Sequence, residues 1–228
     1  MINYYRLDEK IFNGISGGKA EIAYEICKNS NGIVTCGSRE SIQVLTFSKM
    51  CDIMQLPCFI HIPQGKETNV IKELKNTNAN IIYEKVGYNN VLNSHARQNA
   101  DKLGFKFVPL GMVGCKEANK IIMSNTEKLL NNFPNTKRIV TVIGSGTTFI
   151  GICNYLESIN SSIPVIGISV GMDATKNIIK NTKYEYYNII KSKYGYLDKV
   201  KHEFLNHIYE AKCVEYLQEG DTLYVVAR

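Results

Sequence analysis

The chain has 228 residues, of which 44% are hydrophobic and 21% are charged, and its formal net charge is +6. These values are typical of a globular protein and exclude a fibrous or intrinsically disordered chain. No stretch approaches the roughly 18 unbroken apolar residues of a membrane span, so no membrane partner is expected.

The distribution of cysteine, lysine and histidine gives further expectations. The first ten residues lack the apolar core of a signal peptide, which predicts a cytoplasmic protein. The seven cysteines contain no CxxC pair, so we interpret them as small buried groups. The lysines are scattered without a run of five basic residues, which favours a solvated surface over a nucleic-acid interface. The four histidines show no metal-ligand spacing, and no metal site is predicted.

Short β-branched runs alternate with helical segments along the chain. Strands are predicted at 32–36, 58–62, 80–84, 106–109, 138–143, 165–170 and 222–226. Helical spacing of apolar residues recurs in two sets, Val44-Phe47-Cys51-Met54 and Phe149-Ile152-Leu156-Ile159. This alternation predicts an α/β protein with mostly parallel sheets. A glycine-rich stretch near 104–114 is the expected break between two lobes.

The first motif with chemical potential is Ser16-Gly17-Gly18-Lys19. Two glycines allow the backbone to approach another group closely, and a lysine directly after them has a defined position. The alternative interpretation is a turn followed by a helix that carries a solvated lysine.

The second motif is a glycine–hydroxyl loop made of Gly144, Ser145, Gly146, Thr147 and Thr148. It follows an apolar strand and precedes an amphipathic helix, so free amide groups and the helix dipole would attract an anion. Neither the Walker pattern nor GxGxxG is present, which favours a compact monophosphate over a triphosphate. An ordinary tight turn between strand and helix remains the alternative.

The third motif, Thr35 to Ser41, again joins a strand end to a helix. Ligand crevices of open α/β sheets lie at the carboxyl ends of strands, where Glu40 and Ser41 would stand. No GxSxG sequence surrounds Ser41, so a serine triad is unsupported.

Together the motifs resemble those of pyridoxal-phosphate enzymes of the tryptophan-synthase-β fold (fold type II). The similarity is closest to the branch of 1-aminocyclopropane-1-carboxylate deaminase and D-cysteine desulfhydrase. The matching segments are Gly17-Gly18-Lys19, Gly37-Ser38-Arg39-Glu40-Ser41-Ile42-Gln43, the glycine–hydroxyl loop, Tyr194-Gly195-Tyr196-Leu197 and Tyr209-Glu210-Ala211-Lys212. The resemblance implies two three-layer αβα lobes with mostly parallel sheets and a cofactor cleft between them. Residues 30–108 would form the smaller lobe, and 1–29 with 109–228 the larger, cofactor-binding lobe.

The same resemblance implies pyridoxal 5'-phosphate as the cofactor. Lys19 would bind the cofactor's aldehyde carbon and later move the proton at the substrate's α carbon. The glycine–hydroxyl loop would bind the cofactor's phosphate. Glu210 would keep the ring nitrogen protonated, which favours a carbanion.

The implied activity is that of a lyase or deaminase acting on a small amino acid by elimination with release of ammonia. Ser41, Tyr194 and Tyr209 match residues that contact substrate in this branch, and the two tyrosines are candidate acids, bases or nucleophiles. Dimers are common in the family, so the resemblance allows a homodimer and leaves the oligomeric state open. The alternative interpretation is that Tyr209 and Lys212 only pack on and cap a terminal helix and that Glu210 is solvated.

Two departures keep alternatives open. Ile42 replaces an asparagine that would hydrogen-bond the cofactor, and Glu40 replaces a glutamine. One alternative is therefore a non-catalytic protein that binds pyridoxal phosphate. Another is the same chemistry on an amino acid carried by a larger molecule such as modified nucleic acid, although nucleic acid is not the expected partner. A third is an unrelated α/β phosphosugar enzyme that uses only the glycine–hydroxyl loop.

Overall fold

The computed structural model describes residues 1–171, 173–196 and 198–227. These residues form two compact units, a smaller unit of residues 11–113 and a larger unit of residues 1–10 with 114–227. In chain order, the elements up to residue 113 are β1 (Asn3–Arg6), β2 (Ile11–Phe12), β3 (Ile15–Ser16), α1 (Ala20–Cys27), β4 (Ile33–Cys36), α2 (Ile42–Ile53), β5 (Cys58–Pro63), α3 (Asn69–Leu74), β6 (Asn80–Glu84), α4 (Asn89–Leu103), β7 (Lys106–Val108) and a 3₁₀ helix (Leu110–Met112). The elements after residue 113 are α5 (Lys116–Asn132), β8 (Arg138–Ile143), α6 (Thr147–Ser158), β9 (Val165–Ser169), α7 (Thr175–Asn181), β10 (Tyr187–Lys191), a second 3₁₀ helix (Glu210–Tyr216) and β11 (Asp221–Val225).

The smaller unit is built on a four-stranded sheet in the order β6-β5-β4-β7, with every pairing parallel. Successive side chains of a strand point to opposite faces of the sheet, so β4 packs against both helical layers. Val34 and Cys36 contact Ala96 and Ala100 of α4, whereas Thr35 on the other face is hydrogen-bonded by Gln43 of α2. The sheet thus lies between helices on both faces, as the sequence predicted.

The larger unit contains a five-stranded parallel sheet in the order β1-β11-β8-β9-β10. One face packs against α6, where Gly167 of β9 lies beneath Phe149. The other face buries Val140, Ile168 and Leu223 against residues of the second 3₁₀ helix. Both units are therefore α/β structures with parallel main sheets, which confirms the predicted fold class.

Each predicted strand exists within a residue or two, and both helical faces are recovered. Val44, Phe47 and Cys51 are fully buried on α2, and Phe149, Ile152 and Leu156 are fully buried on α6. Ile159 differs, because α6 ends at Ser158 and the Ile159 side chain is 47% exposed. The sequence analysis did not predict β1, β10 or the hairpin of β2 and β3.

The position of residues 11–29 differs from the sequence-based division, which placed them with the larger lobe. In the structure α1 packs against α2 of the smaller unit, and the sulfur atoms of Cys27 and Cys51 lie 3.9 Å apart at that contact. Ala20, Ile22, Ala23, Ile26 and Cys27 are all buried. Burial of this apolar face assigns the segment to the smaller unit.

No helix in the three described ranges combines the length and the apolar character that a bilayer crossing requires.

Candidate functional site

The carboxyl edge of the larger unit's sheet contains the point where the strand order reverses. From β8 the chain continues to β9 on one side, whereas β11 pairs with β8 on the other side. Open parallel sheets bind ligands in the crevice at such a switch point, outside the carboxyl ends of the strands. The segments that follow β8 and β11 flank this crevice.

The glycine–hydroxyl loop follows β8 directly and leads into α6, as the sequence predicted. Gly146 precedes the helix with a φ of +90°, a left-handed conformation that favours glycine. The amide groups in the first turn of a helix have no partner within the helix, so they can donate to an anion. The Ser145 and Thr147 hydroxyl groups lie 3.2 Å apart, within hydrogen-bonding distance of each other, and place further polar groups beside the start of the helix.

Gly144 provides room in this loop. No protein atom lies within 4 Å of the position that a Cβ at residue 144 would take. Open space beside the amino end of α6 and two hydroxyl groups is a setting in which a phosphate group could be bound.

Glu210 is anchored at the end of the neighbouring strand. The side chain is 1% exposed, and its Oε1 accepts hydrogen bonds from the backbone amides of Val226, at 3.1 Å, and Ala227, at 3.0 Å. Both amides come directly after β11. The carboxylate, which belongs to the second 3₁₀ helix, is therefore fixed at the end of β11, the strand that pairs with β8.

Two tyrosines form a pair near the same edge. The hydroxyl oxygens of Tyr196 and Tyr209 lie 2.9 Å apart, and their rings meet edge to face. A Cβ at Gly171, which comes two residues after β9, would lie 3.2 Å from the Tyr196 ring. The pair therefore stands at the carboxyl end of β9.

Tyr194 is half-buried and follows β10, with the Lys193 amine 5.2 Å from the centre of its ring. Its backbone amide donates to the Ser192 hydroxyl at 3.2 Å. Leu197, the last residue of the Tyr-Gly-x-x motif, lies outside the described residues.

Lys212 connects the segment of Tyr194 to the second 3₁₀ helix. Its side chain is fully buried, and its amine donates to the carbonyl of Gly195 at 2.6 Å. Burial lowers the pKa of the Lys212 ammonium, and the charge of Asp198 offsets part of that shift. Lys212 stands in one of the matching motifs, and no catalytic role is predicted for it from the sequence.

The remaining predicted site residues, Lys19 and Ser41, belong to the smaller unit. Lys19 is half-buried and directly precedes α1, after Gly17, whose φ is +104°. Its carbonyl accepts the amide of Ala23 at 2.9 Å, which fixes its backbone at the start of the helix.

Ser41 directly precedes α2, at the carboxyl end of β4. A Cβ at residue 37 would lie 2.6 Å from the Ser41 hydroxyl, so this close contact requires Gly37. Ile42, half-buried, opens the helix, and Gln43 donates to the Thr35 hydroxyl at 2.9 Å and to the Pro109 carbonyl at 3.0 Å. Gln43 thus links β4 to the residue that follows β7, at the switch point of this sheet.

The structure adds two residues that the sequence analysis did not single out for the site. Asn177 of α7 contacts the glycine–hydroxyl loop, and Tyr196 pairs with Tyr209. A lone asparagine gives no local sequence signal. Tyr196 stood inside a quoted motif, and its aromatic character was the available signal.

No protein-family model matches the sequence, and no curated protein matches it. Solved structures do match. An ACC deaminase homologue has a TM-score of 0.83 at 17% identity, over 99% of this chain and 83% of that chain. The processed form of threonine deaminase isoform 2 from Solanum lycopersicum has a TM-score of 0.73 at 10% identity, over 99% of this chain and 78% of that one. A pyridoxal 5'-phosphate-dependent aspartate racemase has a TM-score of 0.60 at 13% identity, over 77% of this chain and 64% of that one.

At these identities the similarity concerns the fold. The chain has the fold of these deaminases and of this racemase, fold type II, and the resemblance inferred from the motifs is confirmed at that level.

Proposed function

We propose that this chain, which has the fold described above, is a pyridoxal-phosphate-dependent lyase or deaminase that acts on a small amino acid. The observation on which this depends is the placement of the glycine–hydroxyl loop and Glu210 at the ends of the paired strands β8 and β11. A loop suited to phosphate and a buried carboxylate beside it match the two ends of this cofactor.

The glycine–hydroxyl loop would bind the cofactor's phosphate. The helix α6 points its amino end at the loop, and the hydroxyls of Ser145 and Thr147 are close enough together to donate to one anion. The open space at Gly144 supports a ligand that approaches the backbone there.

Glu210 would face the ring nitrogen. Its Oε1 is engaged by two backbone amides, and the proposal assigns Oε2 to the nitrogen. When bound, pyridoxal phosphate supplies an electron-withdrawing ring that stabilises the carbanion left by loss of the α proton. A carboxylate held beside the nitrogen keeps that ring protonated and strengthens this effect.

Lys19 would supply the amine that binds the cofactor and moves the α proton. Its position at the start of α1 is defined by the backbone, which suits a residue that must reach one atom of a ligand. Tyr209 and Tyr194 are the proposed acid, base or nucleophile, and Ser41 is the proposed substrate contact at the start of α2. Elimination would release ammonia.

The absorbance of the purified protein with added pyridoxal phosphate tests the proposal. We expect a band of lysine-bound cofactor in the wild type, and its loss in Lys19→Ala. Lys28→Ala is the matched control, because Lys28 is an exposed lysine at the other end of the same helix. A panel of small amino acids, scored for ammonia and keto acid, then identifies the substrate. A wild type without the band, or a Lys19→Ala variant that keeps it, would contradict the proposal.

A second candidate is a non-catalytic protein that binds the cofactor. It is favoured by Ile42, which stands at the start of α2 where the resembled family has an asparagine. Isoleucine cannot donate a hydrogen bond, so one polar contact to the cofactor's ring oxygen would be lost. Exchange of the α proton of any amino acid for deuterium would exclude this candidate.

A further inference from the structure

Helix α7 lies directly against the glycine–hydroxyl loop. A Cβ at Gly146 would lie 3.2 Å from Cγ1 of Ile178 in α7 and 3.4 Å from Cβ of Ala174, which directly precedes that helix; both residues are buried. The shorter of these distances is below that of an ordinary van der Waals contact, so a side chain at residue 146 would be crowded. The helix therefore limits how the loop can move.

The helix is also joined to the loop by a hydrogen bond. The half-buried side chain of Asn177 donates from Nδ2 to the carbonyl oxygen of Ser145 at 3.2 Å. Asn181, one turn further along, donates to Asn177 Oδ1 at 2.8 Å and to the Asn177 carbonyl at 2.7 Å. Because Asn177 Oδ1 accepts from Asn181, its Nδ2 is the group that faces Ser145.

This contact fixes the orientation of a peptide plane. In a trans peptide the carbonyl and the amide N–H point in opposite directions, and no cis peptide occurs in the described part of the chain. The Ser145 carbonyl points towards α7, so the Gly146 N–H points away from it. If this plane rotated, a carbonyl oxygen would take the place of the N–H and would repel a bound anion. Gly146, on one side of this peptide, makes such a rotation easier, and the hydrogen bond from Asn177 opposes it.

We propose that Asn177 is a positioning residue that orients the Ser145–Gly146 peptide so that its N–H donates to the cofactor's phosphate. The inference rests on the proposed function, which assigns the phosphate to this loop. Asn177 acts through the peptide plane and does not itself contact the ligand.

Binding of three small molecules by the apoprotein tests this role without any measurement of turnover. Pyridoxal phosphate, pyridoxal and inorganic phosphate are titrated calorimetrically into the wild type and Asn177→Ala. We expect the Kd for pyridoxal phosphate and for phosphate to rise about tenfold, the usual size of one hydrogen bond to a charged group. The Kd for pyridoxal stays unchanged, because pyridoxal has no phosphate.

Three further variants sharpen the result. Asn177→Asp keeps the size of the side chain but its carboxylate cannot donate to Ser145, so we expect at least the loss seen in Asn177→Ala. Asn181→Ala removes the support of Asn177 from an exposed position, and we expect a smaller loss in the same direction. Asn188→Ala, at an exposed position on β10, is the matched control and leaves all three affinities unchanged. If Asn177→Ala does not fold, Asn181→Ala decides.

The outcomes separate the two proposals. An unchanged affinity for pyridoxal phosphate in Asn177→Ala overturns the positioning role and leaves the proposed function intact. An equal loss for pyridoxal and pyridoxal phosphate also overturns it, since this indicates general distortion. A wild type that binds phosphate but not pyridoxal phosphate contradicts the proposed function, and the phosphate titrations then decide the role of Asn177. A wild type that binds neither contradicts both.

Discussion

Gly144→Ala separates ligand binding from protein stability at the glycine–hydroxyl loop. A methyl group at residue 144 would meet no protein atom within 4 Å, and the φ of Gly144 lies outside the left-handed region. Alanine at a compatible position stabilises a protein by about 0.4–1 kcal/mol, because it restricts the unfolded chain. The same methyl group would occupy space that the proposal gives to a phosphate.

Gly146→Ala is the matched comparison. Its φ of +90° costs a side-chain-bearing residue about 1–2 kcal/mol, and Ile178 is only 3.2 Å from the new methyl group. We therefore expect Gly146→Ala to weaken both stability and cofactor binding. Gly144→Ala should weaken binding alone, by at least tenfold, which corresponds to about 1.4 kcal/mol.

Urea unfolding followed by circular dichroism and titration with pyridoxal phosphate measure the two quantities in the same preparations. Wild-type affinity for pyridoxal phosphate in Gly144→Ala would refute the assignment of the open space to the phosphate. A fall in the unfolding midpoint of Gly144→Ala as large as that of Gly146→Ala would refute the packing argument.

Two other substitutions test the core and the buried lysine. Gly167→Ala would place a methyl group against the Ile143 side chain and 2.6 Å from the Phe149 ring, so we expect a loss of about 1–3 kcal/mol in urea unfolding. An unchanged unfolding midpoint would show that α6 can shift away from β9. Lys212→Met removes a buried ammonium whose pKa is lowered by burial. Between that lowered pKa and the ordinary lysine value, the unfolded chain binds a proton that folded Lys212 has released, so wild-type stability rises with pH relative to Lys212→Met. Urea unfolding from about pH 7 to about pH 10 measures this difference, and a gap that does not change with pH would contradict it.

The central strands were predictable from the sequence because their signal is local. The strands β4, β8 and β9 are runs of β-branched residues that are nearly all buried, and such runs rarely occur elsewhere. The two edge strands of the larger sheet were missed for the same reason. Residues of β1 are only half-buried, and β10 mixes exposed and half-buried residues, so neither shows an apolar run.

The hairpin of β2 and β3 has a local sequence signal. Asn13-Gly14 separates two short apolar segments, and both residues adopt positive φ, at 48° and 76°. This turn leads into α1, whose apolar face packs on the smaller unit. Recognition of the hairpin would have indicated that residues 11–29 form a structure of their own before the first long strand.

The candidate site was predictable from the sequence only where residues adjacent in the chain form it. The glycine–hydroxyl loop and the start of α6 are contiguous, so their sequence describes their chemistry. The contacts of Asn177 with Ser145 and of Tyr196 with Tyr209 join residues 32 and 13 positions apart. Such contacts depend on how the sheet aligns its loops, and no local pattern contains that information.

The pairing of β8 with β11 also explains how the glycine–hydroxyl loop and Glu210 could contact one ligand. Thr141 of β8 pairs with Tyr224 of β11, and neighbouring strands lie about 4.8 Å apart, so the ends of the two strands have a fixed separation. Backbone amides at the end of β11 hold Glu210, and α7 holds the loop after β8. Both ends of a small aromatic phosphate would thus meet groups that need no rearrangement, which lowers the entropic cost of binding.

Under the proposed function, the contributions of the cofactor's phosphate group and of its aldehyde group to binding can be measured separately. Inorganic phosphate would report on the glycine–hydroxyl loop, and pyridoxal, which lacks the phosphate, would report on the amine of Lys19. When one molecule joins both groups, the second contact is intramolecular and its effective concentration is high, so pyridoxal phosphate should bind far more tightly than either fragment. An affinity no greater than that of the better fragment would contradict the proposed function, which assigns the loop and the lysine to one molecule.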